Sequence, residues 1–345
     1  MTTYCKISLN SLTAKEVEVG YKLTALRNLF GSTSVSPHLP FSRSEFFQSS
    51  RQHSQGMSIS GVQQKLSLKE NDHRKLTPTA TGGEYILKPS PESFPNAAEN
   101  EHIAMRLSTL LGIETAFCGL VDFADGELAF ITRRFDRLDH GRKLHQEDLL
   151  QCFDIPSDNK YDKTYEEAGK LVLEVTGGKK AVVLDFLRRV IFSYLIGNDD
   201  LHLKNFSVQR QHGNTSRYYD KLTPNYDCLF CDAFNTNGAE KGSGQLALGL
   251  LLDPEDGDEQ FSEAQQHYGS YTGIDFIELG KRLGIPEKPI IKFIDQLHNK
   301  QADMLNLIHR SYMPEAMKER ATALLENRLR ALGIISLKRQ AQKAL

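Results

Sequence analysis

The stretch YLIGNDDLHLKNFSV, Tyr194 to Val208, decides the fold. An apolar run ends in two adjacent aspartates, passes a histidine, a lysine and an asparagine, and turns apolar again. Polar groups crowded between two core-like segments need a reason, because burying them unpaired costs free energy. Asp200, His202, Lys204 and Asn205 follow one another in D-x-H-x-K-N spacing, directly after a helical pattern. Asp227 lies in TPNYDCLF, again at an apolar boundary. A magnesium–phosphate site asks for hard oxygen ligands and takes only one or two of them from the protein. Protein kinases combine a catalytic Asp, an Asn five residues on, and a metal-binding Asp on a separate loop. The interval from Asp200 to Asn205 matches that scheme. A solvated helix-to-strand turn with an Asp cap has the same letters, and the motif alone leaves both readings open.

Working outward, the chain has 345 residues, 39% apolar and 25% charged, as in ordinary globular proteins. Its 42 basic and 44 acidic side chains nearly cancel, so no global field points to nucleic acid or membrane. No apolar run reaches the roughly 18 residues of a membrane span. The N-terminus, MTTYCKISLNSL, has no signal-peptide core, which predicts a soluble, cytoplasmic protein. The five cysteines do not form a disulfide framework. Cys228 and Cys231 make a lone CxxC without a second pair at ligand spacing, so reduced, half-buried thiols are expected rather than zinc.

Before residue 130 short strands alternate with turns. KLSL (Lys65–Leu68), EYILK (Glu84–Lys88) and LAFITRRF (Leu128–Phe135) read as strands. Phe30–Met57, rich in Ser, Pro, Gly and Gln, reads as loop. A helix is predicted after Asn96, with Glu99 three residues on, Ile103, Leu107, Leu110 and Leu111 on its apolar face and Gly112 as its stop. From about residue 140 helical periodicity dominates, in KAVVLDFLRRVIFSYLIG, GIDFIELGKRLGI, PIIKFIDQLHNKQADMLNLIHRSYM and MKERATALLENRLRALGI. The fold expected is α+β with two lobes: a strand-rich N-terminal lobe, residues 1–132, and an all-helical C-terminal lobe, residues 133–345. The loop SISGVQQK (Ser58–Lys65) could offer backbone N–H groups to phosphates. Lys88 ends a strand where a kinase keeps its phosphate-pairing lysine, with Glu99 or Glu101 on the next helix as its partner; a surface lysine is the plainer reading.

With SISGVQQKLSL, YILKP, NEHIAMRLSTLLGI, ITRRFDR, LHQEDLLQ, GNDDLHLKNFSV and LTPNYD in that order, the chain resembles the HipA family of bacterial Ser/Thr kinase toxins over roughly residues 55 to 330. It is similar to the compact HipT branch, in which an extra N-terminal subdomain exists as a separate small protein. The resemblance implies a two-lobed, protein-kinase-like fold and use of ATP and Mg²⁺. It also implies an aminoacyl-tRNA synthetase as substrate, arrest of translation and growth, a HipB-like DNA-binding antitoxin and a HipS-like partner. Position by position, it makes Asp200 the catalytic aspartate and Asn205 and Asp227 the metal ligands. Lys88 would sit on the α- and β-phosphates, and Ser60, Gly61, Val62, Gln63, Gln64 and Lys65 would cover the triphosphate. Arg133, Arg134 and Phe135 would form the hinge whose backbone meets adenine, with Arg133 replacing a commoner acidic residue. His202, Leu203, Lys204 and Tyr226 complete the implied nucleotide-site set, His202 as a brace.

The resemblance further implies autophosphorylation in the phosphate-binding loop, at about residues 55–65. Ser58 aligns with the modified position, and Ser60 offers a second acceptor unless it only turns the loop. A phosphate there adds about −1.5 to −2 charge where the ATP phosphates belong. Two other classes compete: a pseudokinase-like binding module, and a metal-dependent phosphohydrolase built on Asp199, Asp200, His202 and Asp227. The second leaves Lys88 and the Gly61 loop without a role.

Overall fold

The structure is a computed structural model and describes residues 3–53, 64–138, 142–234 and 246–336. The chain forms two compact units, neither of them continuous in sequence. The first takes residues 1–107, 115–143 and 306–318; the second takes 108–114, 144–305 and 319–345.

The first unit opens with α1 (Ala14–Val17), α2 (Leu23–Phe30) and α3 (Arg43–His53). Helix α3 lies inside the stretch expected to be loop. Few of its side chains are apolar, so its periodicity is faint. Its start is nonetheless written in a capping box, in which Ser42 and Glu45 satisfy each other's amides. Five strands follow: β1 (Leu66–Glu70), β2 (Leu76–Pro78), β3 (Tyr85–Pro89) and, after helix α4 (Ala97–Leu110), β4 (Cys118–Asp122) and β5 (Leu128–Arg133). They form one antiparallel sheet in the order β2-β1-β3-β5-β4. Side chains alternate across a strand. Tyr85 and Leu87 of β3 therefore join Leu66, Leu68, Ala129 and Ile131 in a core with Leu26, Leu29 and Phe30 of α2 and Phe46 of α3. Lys88 falls on the opposite face, in register with Phe130.

Helix α4 begins directly after Asn96, as the sequence suggests, but the Asn96 side chain is not its cap. Asn96 adopts a left-handed conformation, φ 64°, and its amide donates to Glu99. The hydroxyl of Ser90, from the preceding loop, instead accepts the Ala98 N–H at 3.0 Å. His102 on this helix is fully buried; its Nε2 donates to the Ile7 carbonyl, and burial lowers its pKa to about 3. Residues 306–318 complete the unit. Met313 and Met317 are buried, Asn100 meets the Met317 sulfur at 3.6 Å, and the Tyr312 hydroxyl donates to the Tyr4 carbonyl.

The second unit is chiefly helical. Its elements are β6 (Gln146–Asp148), α5 (Leu149–Cys152), α6 (Tyr165–Val175), α7 (Lys180–Ile196), β7 (Ser207–Gln209), β8 (Lys221–Leu222), α8 (Glu263–Tyr268), α9 (Gly273–Arg282), α10 (Glu287–Asn299), α11 (Gln301–Arg310) and α12 (Glu315–Leu332), the last two beginning in the first unit or crossing into it. The long pattern after residue 288 divides at Lys300 into α10 and α11. The expectation of helices alone is refined by a three-stranded antiparallel sheet, β6-β7-β8. Strands of two or three residues are too short to show a period in sequence. Helix α7 is buried on nearly all sides, which fits its almost unbroken apolar sequence. Phe186 from α7 packs at a tilt on Phe206 with ring centroids 4.7 Å apart, and Tyr165 of α6 packs against both. That aromatic cluster seats the segment between α7 and β7. Among the described residues no helix is long and apolar enough to cross a membrane.

Candidate active site

Helix α7 delivers the Asp-rich loop. Gly197 ends it in a left-handed conformation, φ 61°, with its N–H on the Tyr194 carbonyl. Glycine is needed here twice over. A Cβ would strain this backbone and would stand 2.7 Å from Leu324 Cδ2 and 2.9 Å from Asp232 Oδ2. The Ser193 hydroxyl donates to the Asn198 carbonyl at 2.8 Å and fixes the exit. Asp199 and Asp200 then emerge exposed.

The loop folds around the main-chain carbonyl of Asp200. That oxygen accepts the His202 N–H at 2.9 Å and the Asn205 side-chain amide at 2.8 Å. Asn205 is buried and its nitrogen is committed, so Oδ1 is the atom it can offer a cation. Asp227 sits on a separate segment with φ 59°, a conformation rare for a non-glycine residue and often kept at functional sites. His202 is buried, with Nε2 3.6 Å from Asp200 Oδ1. Burial lowers its pKa. The Asp200 and Asp227 carboxylates pull it back up, and Lys160 adds to the depression. The ring is therefore neutral near pH 7. Asp227 and Asn205 could each offer a cation a hard oxygen donor, the kind of donor Mg²⁺ takes from a protein. Among the described residues no group of three or more His, Cys, Asp or Glu forms a self-sufficient metal cage.

The other residues expected around this loop have assigned places. Leu203 is fully buried. Lys204 reaches the Ser157 hydroxyl at 3.0 Å. The Tyr226 hydroxyl bridges the Lys204 carbonyl, 2.9 Å, and the Ser207 hydroxyl, 2.7 Å, tying the loop to β7. Two neighbours were not foreseen. Tyr161 donates its hydroxyl to Asp200 Oδ1 at 2.6 Å, and Lys160 lies 4.0 Å from the same oxygen. They precede Asp200 by a whole helical pair, and no local pattern marks them. Burial and the Asp200 carboxylate hold the Tyr161 phenol well above its ordinary pKa. Cys231 donates its thiol to Asn198 Oδ1, and Cys228 is buried.

In the first unit, Lys88 Nζ and Glu101 Oε1 are 2.7 Å apart, with side chains 13% and 1% exposed. The lysine also lies 5.6 Å from the Phe130 ring centroid. Of the two acidic candidates the partner is Glu101. Glu99 points instead to the Ser90 hydroxyl and the Asn96 amide. At the end of β5 the N–H groups of Arg133 and Arg134 donate to the Phe117 and Glu84 carbonyls, both at 2.8 Å, and half-buried Phe135 follows. The Arg134 guanidinium forks onto Asp136 at 3.0 and 2.9 Å. Ser58, Ser60, Gly61, Val62 and Gln63 lie outside the described residues. Gln64 and Lys65 are the described residues leading into β1.

An antiparallel sheet bearing a buried Lys–Glu pair, and a helical unit bearing an Asp–Asn–Asp constellation, define a kinase-like class. The fold agrees with solved structures. It matches a chain of the Shewanella oneidensis complex of HipA, HipB and operator DNA with TM-score 0.61 and 22% identity, over 81% of this chain and 66% of that one. It matches the Helicobacter pylori proinflammatory kinase CtkA with TM-score 0.53 and 15% identity, over 84% and 95%. The family model described as the HipA-like C-terminal domain matches residues 57–305, and the chain belongs to that family. A Haemophilus influenzae protein named "Putative kinase" is 35% identical over 96% of this chain and 98% of its own length. The serine/threonine-protein kinase toxin HipA of Shewanella oneidensis is 28% identical over 56% of this chain, which spans about half of that toxin's length (46%).

Proposed function

We propose that this chain is an ATP- and Mg²⁺-dependent serine/threonine protein kinase acting as the toxin of a toxin–antitoxin pair. The observation that carries the reading is the buried Lys88–Glu101 pair. Glutamate is almost never fully buried unless paired, and sinking Glu101 from water costs several kcal/mol unless half-buried Lys88 offsets it. Phosphate pairing gives that cost a purpose, and a metal-dependent hydrolase has no use for it.

The roles then divide as follows. The Asp200 carboxylate, about half exposed, accepts the proton of an acceptor hydroxyl while that oxygen attacks the γ-phosphorus. The bond from phosphorus to the β–γ bridging oxygen breaks, ADP leaves, and the proton passes from Asp200 to solvent. Asp227 and Asn205 Oδ1 would hold Mg²⁺, which would supply charge neutralisation of the phosphates. Lys88 holds the α- and β-phosphates, and Arg133–Phe135 meets the adenine. The N-terminal lobe of this reading is residues 1–132 and the C-terminal lobe 133–345. The phosphate-binding loop, with Ser58 and Ser60 as autophosphorylation sites, serves as its charge-based switch. The partners are a HipB-like DNA-binding antitoxin, a small HipS-like protein, and a cytoplasmic aminoacyl-tRNA synthetase as substrate. The antitoxin assignment follows the HipB found with Shewanella HipA. The test is replacement of the two carboxylates. Asp200→Asn and Asp227→Asn each abolish phosphotransfer and growth arrest with circular dichroism unchanged. Arrest that persists in both variants at matched protein level refutes the kinase assignment.

A further inference from the structure

We propose that Tyr161 belongs to the acceptor site: its hydroxyl stands on Asp200 where the acceptor's hydroxyl must stand, and an incoming acceptor displaces it. The inference rests on Asp200 being the group that takes the acceptor's proton. A base must lie roughly 2.6–3.2 Å from the oxygen it deprotonates. The Tyr161 oxygen lies 2.6 Å from Asp200 Oδ1. It is an O–H donor of the same kind as a serine or threonine, held at the same contact on the same atom.

Four further observations separate this arrangement from a casual surface contact. The segment that carries Tyr161 is stitched to the catalytic loop, through the Leu203 N–H on the Lys160 carbonyl at 3.3 Å and Lys204 on Ser157 at 3.0 Å. The Tyr161 ring meets His202 edge-on, with centroids 5.3 Å apart, so it is aimed by the brace of the loop itself. The residue is nevertheless 45% exposed, so its ring can leave without opening any core. Lys160 supplies a cation 4.8 Å from the ring centroid and 4.0 Å from Asp200, which keeps positive charge beside the carboxylate when the phenol departs. Tyr161 is thus a place-holder that sets how strongly an acceptor must bind before Asp200 can serve it.

The variant Tyr161→Phe keeps the ring on His202 and removes only the competing O–H. Dephosphorylated casein serves as the acceptor probe, at saturating ATP and Mg²⁺. A hydrogen bond from a neutral donor to a solvent-accessible carboxylate corresponds to about a three- to tenfold equilibrium effect. The casein KM is expected to fall by that factor, with kcat moving less and the KM for ATP unchanged. An unchanged or raised casein KM, or a fall in kcat alone, overturns the proposal and leaves the kinase assignment standing. Phosphate found on Tyr161 itself also overturns it, since the residue would then be an acceptor and not a place-holder. Absence of transfer by the wild type, both to casein and to its own Ser58 and Ser60, overturns the kinase assignment, and this inference with it.

Discussion

Replacing Lys88 with methionine, Glu101 with leucine, and both together tests the ion pair from which the functional assignment starts. At 2.7 Å and an effective dielectric of about 20, the two charges attract by roughly 6 kcal/mol. Desolvation takes back most of it, so the intact pair contributes little net stability. Breaking it from one side is another matter, with typical losses of about 3–5 kcal/mol. The two single variants are not equivalent. Glu101, 1% exposed, cannot reach water once its partner is gone, whereas Lys88, 13% exposed, can tilt its ammonium outward along a flexible stem. Lys88→Met is therefore expected to destabilise more than Glu101→Leu. The double variant should lose at least about 2 kcal/mol less than the sum of the singles. The chain has no tryptophan, so far-UV circular dichroism in urea is the measurement, with phosphotransfer as the parallel assay; all three variants should be inactive. Additive losses, or a Lys88→Met variant as stable as the wild type, would refute the reasoning.

Three further outcomes are expected. Aspartates at Ser58 and Ser60 should weaken ATP binding by roughly 1–3 kcal/mol by calorimetry, and intact mass should show phosphate in the wild type and none in Asp200→Asn; unmodified wild-type serines would exclude the loop as the switch. His102 stays neutral in the fold down to about pH 3, while the unfolded chain protonates it below about 6.5, so its stabilisation is complete above that pH and is lost as pH falls, by up to about 1.4 kcal/mol per unit. His102→Asn should flatten the acid side of the urea-midpoint profile, and equal slopes would contradict this. Gly197→Ala should cost roughly 1–2 kcal/mol from the left-handed backbone alone, and more from the contacts its methyl meets, read as a lower urea midpoint.

The site was legible where its chemistry is contiguous. Asp200, His202, Lys204 and Asn205 share six residues of sequence, and the structure turns the His202 N–H and the Asn205 amide onto the Asp200 carbonyl. Lys88 was readable as a lysine at a strand end, but which of Glu99 and Glu101 it meets was not. Glu99 and Glu101 are two positions apart on a helix, hence on different faces, and only the loop donors Ser90 and Asn96 decide which is held away. Tyr161 and Lys160 were invisible because their relation to Asp200 is purely tertiary. In the fold, the almost unbroken apolar run of α7, the period of α9 and the strand signals of β1, β3 and β5 were readable. Helix α3 escaped because a capping box without an apolar stripe was weighed as loop, and β6–β8 escaped because such short strands carry no period.

The discontinuity of the first unit has a consequence for the order of synthesis. Met313 and Met317 belong to its interior, and Tyr312 reaches back to Tyr4 near the start of the chain. A nascent polypeptide can form the five-stranded sheet early, yet the unit holding Lys88 cannot close until residue 318 has cleared the ribosome, after nearly every residue of the second unit has been translated. The lysine-bearing unit is in this way kept unfinished through most of the chain's own translation, and a chain released before residue 306 lacks its last piece.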